Sequence, residues 1–174
     1  MIRYVHHQLR GTSVAACVMV VSAVVAFGVR GIPEHDGKSW WVVGLFVAVG
    51  ALSGAVSITR LNWVGEVRDF ESALPLANPV AALPAQDPLR FRLLDVDYLA
   101  TMGVVIGVPT LAASLLWHPA AAFYPLVSAT EWLMRAARAA RWERRHGVLL
   151  WRGHVEEQPL GKGQFLYSSQ RPTP

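Results

Sequence analysis

The apolar positions of this chain gather into long runs with no charge inside them. A helix needs about 20 mostly apolar residues to cross a hydrocarbon core of about 30 Å. Residues 11–29 contain no Asp, Glu, Lys or Arg, and neither do residues 39–59. A third charge-free stretch, 98–130, is too long for one ordinary span. His118-Pro119 divides it, because proline fits the first turn of a helix, where its missing N–H has no role. The pattern therefore predicts four transmembrane helices, at about residues 11–29, 39–59, 98–117 and 119–134. They form two helical hairpins. The fourth is the weakest, because it is short and carries Pro125 and Glu131.

The polar segments have patterns of their own. Leu61, Val64, Val67, Phe70 and Leu74 recur at helical spacing, with Arg60, Glu66, Asp69 and Glu71 between them. That spacing predicts an amphipathic helix lying along the membrane surface, inside a loop spanning residues 60–97. Pro75, Pro79, Pro84 and Pro88 then break regular structure. After residue 134 a basic helix follows, with Arg135, Arg138, Arg141 and Arg145 every three to four residues and Arg144 beside them. Gly147 is placed to end it. Residues 148–151 and 164–167 can pair as a small β-hairpin, and the residues from Ser168 onward read as a loose terminus. The fold class is thus an all-α integral membrane protein, with a transmembrane domain over 1–134 and a basic tail over 135–174.

Composition narrows the picture. Of 174 residues, 53% are hydrophobic and 16% charged, against roughly 25% charged in a typical soluble domain. Intrinsic disorder is excluded, since it needs low hydrophobicity and high charge. The single cysteine, Cys17, excludes a disulfide scaffold. The first run follows Arg3 and Arg10, as a secretory signal would. It is longer than the roughly 7–15-residue core of such a signal, so a retained anchor is expected.

Charge placement supplies an orientation. Lys and Arg collect in cytoplasmic loops. With four spans, one side holds 14 of the 16 Lys and Arg residues, and the other holds only Arg30 and Lys38. Both termini are therefore expected in the cytoplasm. Tryptophan prefers the headgroup level, and Trp40, Trp41, Trp63, Trp117 and Trp132 fall near predicted span ends. The Arg-over-Lys bias, 14 to 2, suggests a GC-rich genome and a bacterial plasma membrane.

Candidate chemistry is sparse. The tail beyond residue 134 has a net charge of +5, while the rest of the chain is slightly acidic at −1. Arg135, Arg138, Arg141, Arg144 and Arg145 form a cluster suited to anionic lipid headgroups or a partner; the alternative is that they only anchor the topology. Nucleic acid is not favoured, because no reading module accompanies them. Glu131 is the one acid inside a span, which makes it a candidate intramembrane polar site. It also stands four residues before Arg135, where the two can pair on one helix face. Gly50-xxx-Gly54 and Gly103-xxx-Gly107 allow close helix approach, within the chain, to another membrane protein or in a homo-oligomer. Pro109, just beyond the second pair, is expected to bend its span.

Metal and catalytic readings lose to simpler ones. Glu34-His35-Asp36 with His118 offers nitrogen and oxygen ligands, but adjacent loop residues seldom point at one centre, so a solvated loop is favoured. Asp95 and Asp97 read better as negative charge at a helix N-terminus than as a cation site. No nucleophile elbow, phosphate loop or zinc-protease motif is present. No cofactor or metal site is expected. The sequence points first to a non-catalytic subunit or accessory protein of a membrane complex. A small oligomeric transporter or channel is the alternative, and an enzyme acting on lipid or envelope precursors ranks below it.

Overall fold

The computed structural model describes residues 1–31, 37–56, 66–77 and 96–170. It is 72% helical. Helix α1 runs over Tyr4–Arg30 and α2 over Gly37–Val56. A short α3, Glu66–Glu71, follows. Helix α4, Val96–Met102, continues through a π-helical segment, Gly103–Gly107, into α5, Val108–Leu116. A 3-10 turn, Pro119–Phe123, leads into α6, Pro125–His146. Two helices are long and apolar enough to cross a membrane, Tyr4–Arg30 and Asp97–Leu116, and Trp41–Ser53 is a shorter apolar helix.

These helices form an up-down-up-down bundle. At one end, His7 meets Tyr98; further along, Val18 faces Gly107; at the other end, Arg30 donates a hydrogen bond to the Trp117 carbonyl. Helix α1 and the α4–α5 helix therefore run in the same direction. Helices α2 and α6 also run together, because Phe46 meets Tyr124 and Gly50 faces Val127. Both α1 and α2 pack against α6. The outward faces of the long helices are apolar, with Val24 68%, Val29 73% and Leu116 84% exposed. Apolar surface of this extent marks an interaction with membrane or protein.

The break at Pro109 takes a definite form. Proline has no N–H to give the carbonyl one turn back, and its ring crowds that carbonyl. The chain widens into the π-helical segment just before it, the usual one-turn insertion in such places. The Thr110 hydroxyl then donates to the Ile106 carbonyl at 2.6 Å, and Ser114 to Leu111 at 2.9 Å.

A small mixed sheet closes the end of the bundle where α1 begins and α6 ends. Its strands are β1 (Ile2–Arg3), β2 (Leu74–Pro75), β3 (Val148–Arg152) and β4 (Tyr167–Gln170), in spatial order β1-β3-β4-β2. Strand β3 pairs antiparallel with both β1 and β4, in register Arg3 to Trp151 and Trp151 to Tyr167. Strand β2 pairs parallel to β4 at the edge, where a proline is tolerated. Gly147 ends α6 in the left-handed conformation at φ +66°, so the chain can turn straight into β3. Beneath the sheet lies a core of Tyr4, Val5, Phe70, Ala136, Ala139, Leu150 and Leu166, flanked by Trp142.

Several expectations need correction here. The hairpin forms, but its second strand begins at Tyr167 rather than covering 164–167, so Ser168–Gln170 is strand and not loose terminus. Helix α6 continues across residue 134 into the basic helix expected there. Residues 1–10, the described part of the loop and the tail share one sheet and one core. The amphipathic helix expected over 61–74 is helical at Glu66–Glu71 within the described residues. Residues 32–36, 57–65, 78–95 and 171–174 lie outside those described, and with them the Glu34-His35-Asp36 cluster, Trp63 and Asp95.

Candidate functional site: buried ion pairs at the sheet end of the bundle

The polar chemistry concentrates where α6 passes beneath the sheet. Glu66, at the start of α3, is buried. Tyr4 donates its hydroxyl proton to Glu66 Oε1 at 2.9 Å. Arg135 and Arg138, one helical turn apart on α6, reach the same carboxylate at 3.1 and 3.3 Å. Arg135 also pairs with Glu131. One carboxylate thus joins the first turn of α1, the loop helix and α6.

A second buried acid repeats the arrangement. The Glu143 side chain is 1% exposed and pairs with Arg3. Its Oε1 also accepts the Leu150 backbone N–H at 3.0 Å. The geometry explains that contact. Strand β1 stops at Arg3, opposite Trp151, so Leu150, paired with Ser168 of β4 on one side, has no strand on its β1 side. The carboxylate takes the place of the absent strand and satisfies a donor that is costly to bury unpaired.

Burial sets the electrostatics of the first acid. Burial raises the Glu66 carboxyl above the usual carboxylate range, and Asp69 adds to that rise; Arg135, the Tyr4 hydrogen bond and Arg138 pull it down without reversing the shift. A folded-state pKa above the unfolded one means that the folded chain binds more protons, so stability falls as pH rises through that window. Thermal unfolding of the detergent-solubilised chain should therefore show a stability loss with rising pH, beginning near 4.5. Glu66→Gln should remove that component; an unchanged pH profile in the variant would contradict it.

A third group lies at the mouth of the seam between α1 and α4. The Arg10 guanidinium sits over the Tyr98 ring at 4.3 Å, and the His7 ring meets the same tyrosine at 5.8 Å. Arg152 of β3 approaches His7 Nε2 at 3.1 Å. Arginine can only donate, so His7 is neutral there, with Nε2 accepting.

The structure separates the five tail arginines into two sets. Arg135 and Arg138 turn inward to Glu66, while Arg141, Arg144 and Arg145 are exposed. Glu131 is held by Arg135 at i, i+4. The glycines also differ. A Cβ on Gly50 would lie 2.6 Å from the Val127 carbonyl oxygen, one on Gly107 would make ordinary contact with Val18 at 3.7 Å, and one on Gly103 would meet nothing within 4 Å. Gly54 lies on α2, where its surroundings are outside the description. Gly11, not singled out by the sequence, sits against Trp132, whose ring would be 2.7 Å from an added Cβ. His118 caps the 3-10 turn, its Nδ1 accepting the Ala120 N–H at 3.1 Å. Cys17 is exposed, at the seam between α1 and the α4–α5 helix.

Glu66, Glu143 and Tyr4 carried no motif. Glu66 was expected on the solvated side of an amphipathic helix and instead is 7% exposed. An acid facing two arginines from a distant helix leaves no local pattern. No protein-family model, curated protein or solved structure matches this chain.

Proposed function

We propose that the chain is a multi-pass protein of a bacterial plasma membrane with four spans and both termini cytoplasmic. In this reading it is a non-catalytic subunit or accessory protein of a membrane complex. One observation supports it most: the buried charges are spent on tying the chain's own segments together, while the long helices present apolar outer faces. Cation and carboxylate meet as partners in these pairs, leaving neither poised for chemistry on a substrate. The surfaces left for others are the helix face around Gly103 and the exposed Arg141, Arg144 and Arg145. Arginines just inside a membrane attract anionic headgroups at about 1 kcal/mol each.

Affinity purification of the full chain in mild detergent tests this reading. A second membrane protein, or a second copy, should co-purify at fixed stoichiometry. A monodisperse single chain would contradict it. Glu131 separates this reading from a transporter. Its pair with Arg135 is an i, i+4 contact worth roughly 0.2–0.5 kcal/mol, and Arg135 retains Glu66 without it. Glu131→Gln should therefore express, assemble and support the complex normally. Loss of a solute flux in Glu131→Gln, with normal assembly, would favour a transporter instead.

A further inference from the structure

Two features outside the ion-pair core meet at one place. Along the seam between α1 and the α4–α5 helix runs an apolar groove of about 360 Å³, bounded by Val14, Cys17 and Ser22 on one side and by Leu99, Gly103 and Leu111 on the other. Between Val14 and Ser22 the helix rises about 12 Å, so the groove is long and lies along the bundle axis. Gly103 keeps it open, since nothing stands within 4 Å of where its Cβ would be. The other feature is cationic. One turn from Val14 the buried Arg10 lies against Tyr98, next to Leu99; one turn further on, the exposed Arg152 meets a neutral His7.

We propose that this groove holds one acyl chain of an anionic phospholipid, whose headgroup phosphate is bound at the exposed Arg152. The inference rests on the membrane reading given above. Apart from Cys17 and Ser22 the groove is lined by aliphatic residues and glycine, which suits an acyl chain. Charge favours an anionic lipid, because the end of the groove nearest the sheet is the end that carries the exposed Arg152 guanidinium. On the positive-inside orientation, that end is also the cytoplasmic headgroup level. The site is distinct from the exposed arginines of α6.

Native mass spectrometry tests the proposal. The full chain, extracted from membranes in mild detergent, is incubated with phosphatidylglycerol and phosphatidylcholine of identical acyl chains. The wild type should retain phosphatidylglycerol several-fold over phosphatidylcholine. Arg152→Gln should lower phosphatidylglycerol retention about fivefold, the equivalent of ~1 kcal/mol for one basic residue near the surface, and leave phosphatidylcholine unchanged. Gly103→Leu starts its side chain in open space, with nothing within 4 Å of its Cβ, and should lower retention of both lipids. Equal retention of the two lipids by the wild type would overturn the proposal, as would an Arg152→Gln variant that behaves as wild type. A Gly103→Leu variant that loses a dimer but keeps its lipid would assign the groove to a second copy. Recovery of the chain in the soluble fraction would overturn the membrane reading itself, whereas a membrane-embedded chain without lipid preference would overturn this site alone.

Discussion

Glu143→Ala should destabilise the sheet end of the bundle by about 3 kcal/mol, within the range for removing one partner of a buried ion pair. The variant loses the Arg3 ion pair and leaves the Leu150 N–H without its acceptor. The surviving Arg3 side chain is 30% exposed and can turn to water, which keeps the cost toward the low end. Glu143→Gln should cost less, because an amide oxygen can still accept the Leu150 N–H. The effect should be local at first. Strand β1 is two residues long and is tied to the rest by its pairing with β3 and by Arg3. Limited proteolysis of detergent-solubilised protein should therefore cut both the N-terminal segment and residues 148–170 of Glu143→Ala sooner than in wild type. Equal protection in the two proteins would show that the carboxylate is not the tie described.

Gly50→Ala should be the most damaging single-methyl insertion among the described glycines of the bundle. The added Cβ would meet backbone, 2.6 Å from the Val127 carbonyl oxygen and 3.0 Å from Val127 Cα. Backbone of a neighbouring helix cannot rotate away as a side chain can. Helices α2 and α6 must separate along the contact, and overpacking of this kind costs about 1–3 kcal/mol. Gly50→Leu should exceed that. Gly103→Ala is the internal control, since its Cβ enters open space. It should be neutral or slightly stabilising, because alanine outranks glycine in a helix by up to about 1 kcal/mol. Thermal denaturation of the variants checks the contrast. Equal losses at residues 50 and 103 would mean that the close approach of α2 to α6 is wrong.

The two glycine pairs show what the sequence could carry and what it could not. Both have the same spacing, yet Gly50 is closed against a neighbour and Gly103 faces an open groove. Spacing places two glycines on one face of a helix, but which helix that face meets is decided by tertiary packing. The apolar helices Tyr4–Arg30 and Asp97–Leu116 were legible because the length needed to cross a hydrocarbon core is readable as an uninterrupted apolar run. The end of α6 was legible too, because Gly147 can adopt the left-handed conformation that stops a helix.

The sheet was harder to read for physical reasons. Strands β1 and β2 are two residues each, too short for any alternation to register. The run Phe165-Leu166-Tyr167 invited an earlier start to the final strand. Leu166 instead belongs to the core, Phe165 is 61% exposed, and pairing begins at Tyr167. Arg135 and Arg138 were legible as part of a basic stripe. Their inward direction was not, because it depends on Glu66, which lies about seventy residues earlier in the chain. A stripe of arginines read from sequence merges two roles: internal cross-links and a free surface.

We propose a four-span bundle whose sheet end, which bears residues 2–3 and 148–170, faces the cytoplasm. Strand pairing of Ile2 with Arg152 requires residues near both ends of the chain to lie on one side. The most direct measurement is the sidedness of a reporter placed at each terminus of the full-length chain in intact cells. Both reporters should be inside: fluorescent as a cytoplasmic fluorescent-protein fusion and inactive as an alkaline phosphatase fusion. A phosphatase active outside the membrane at either terminus would contradict the account. Activity at one terminus alone would break the sheet as well as the span count.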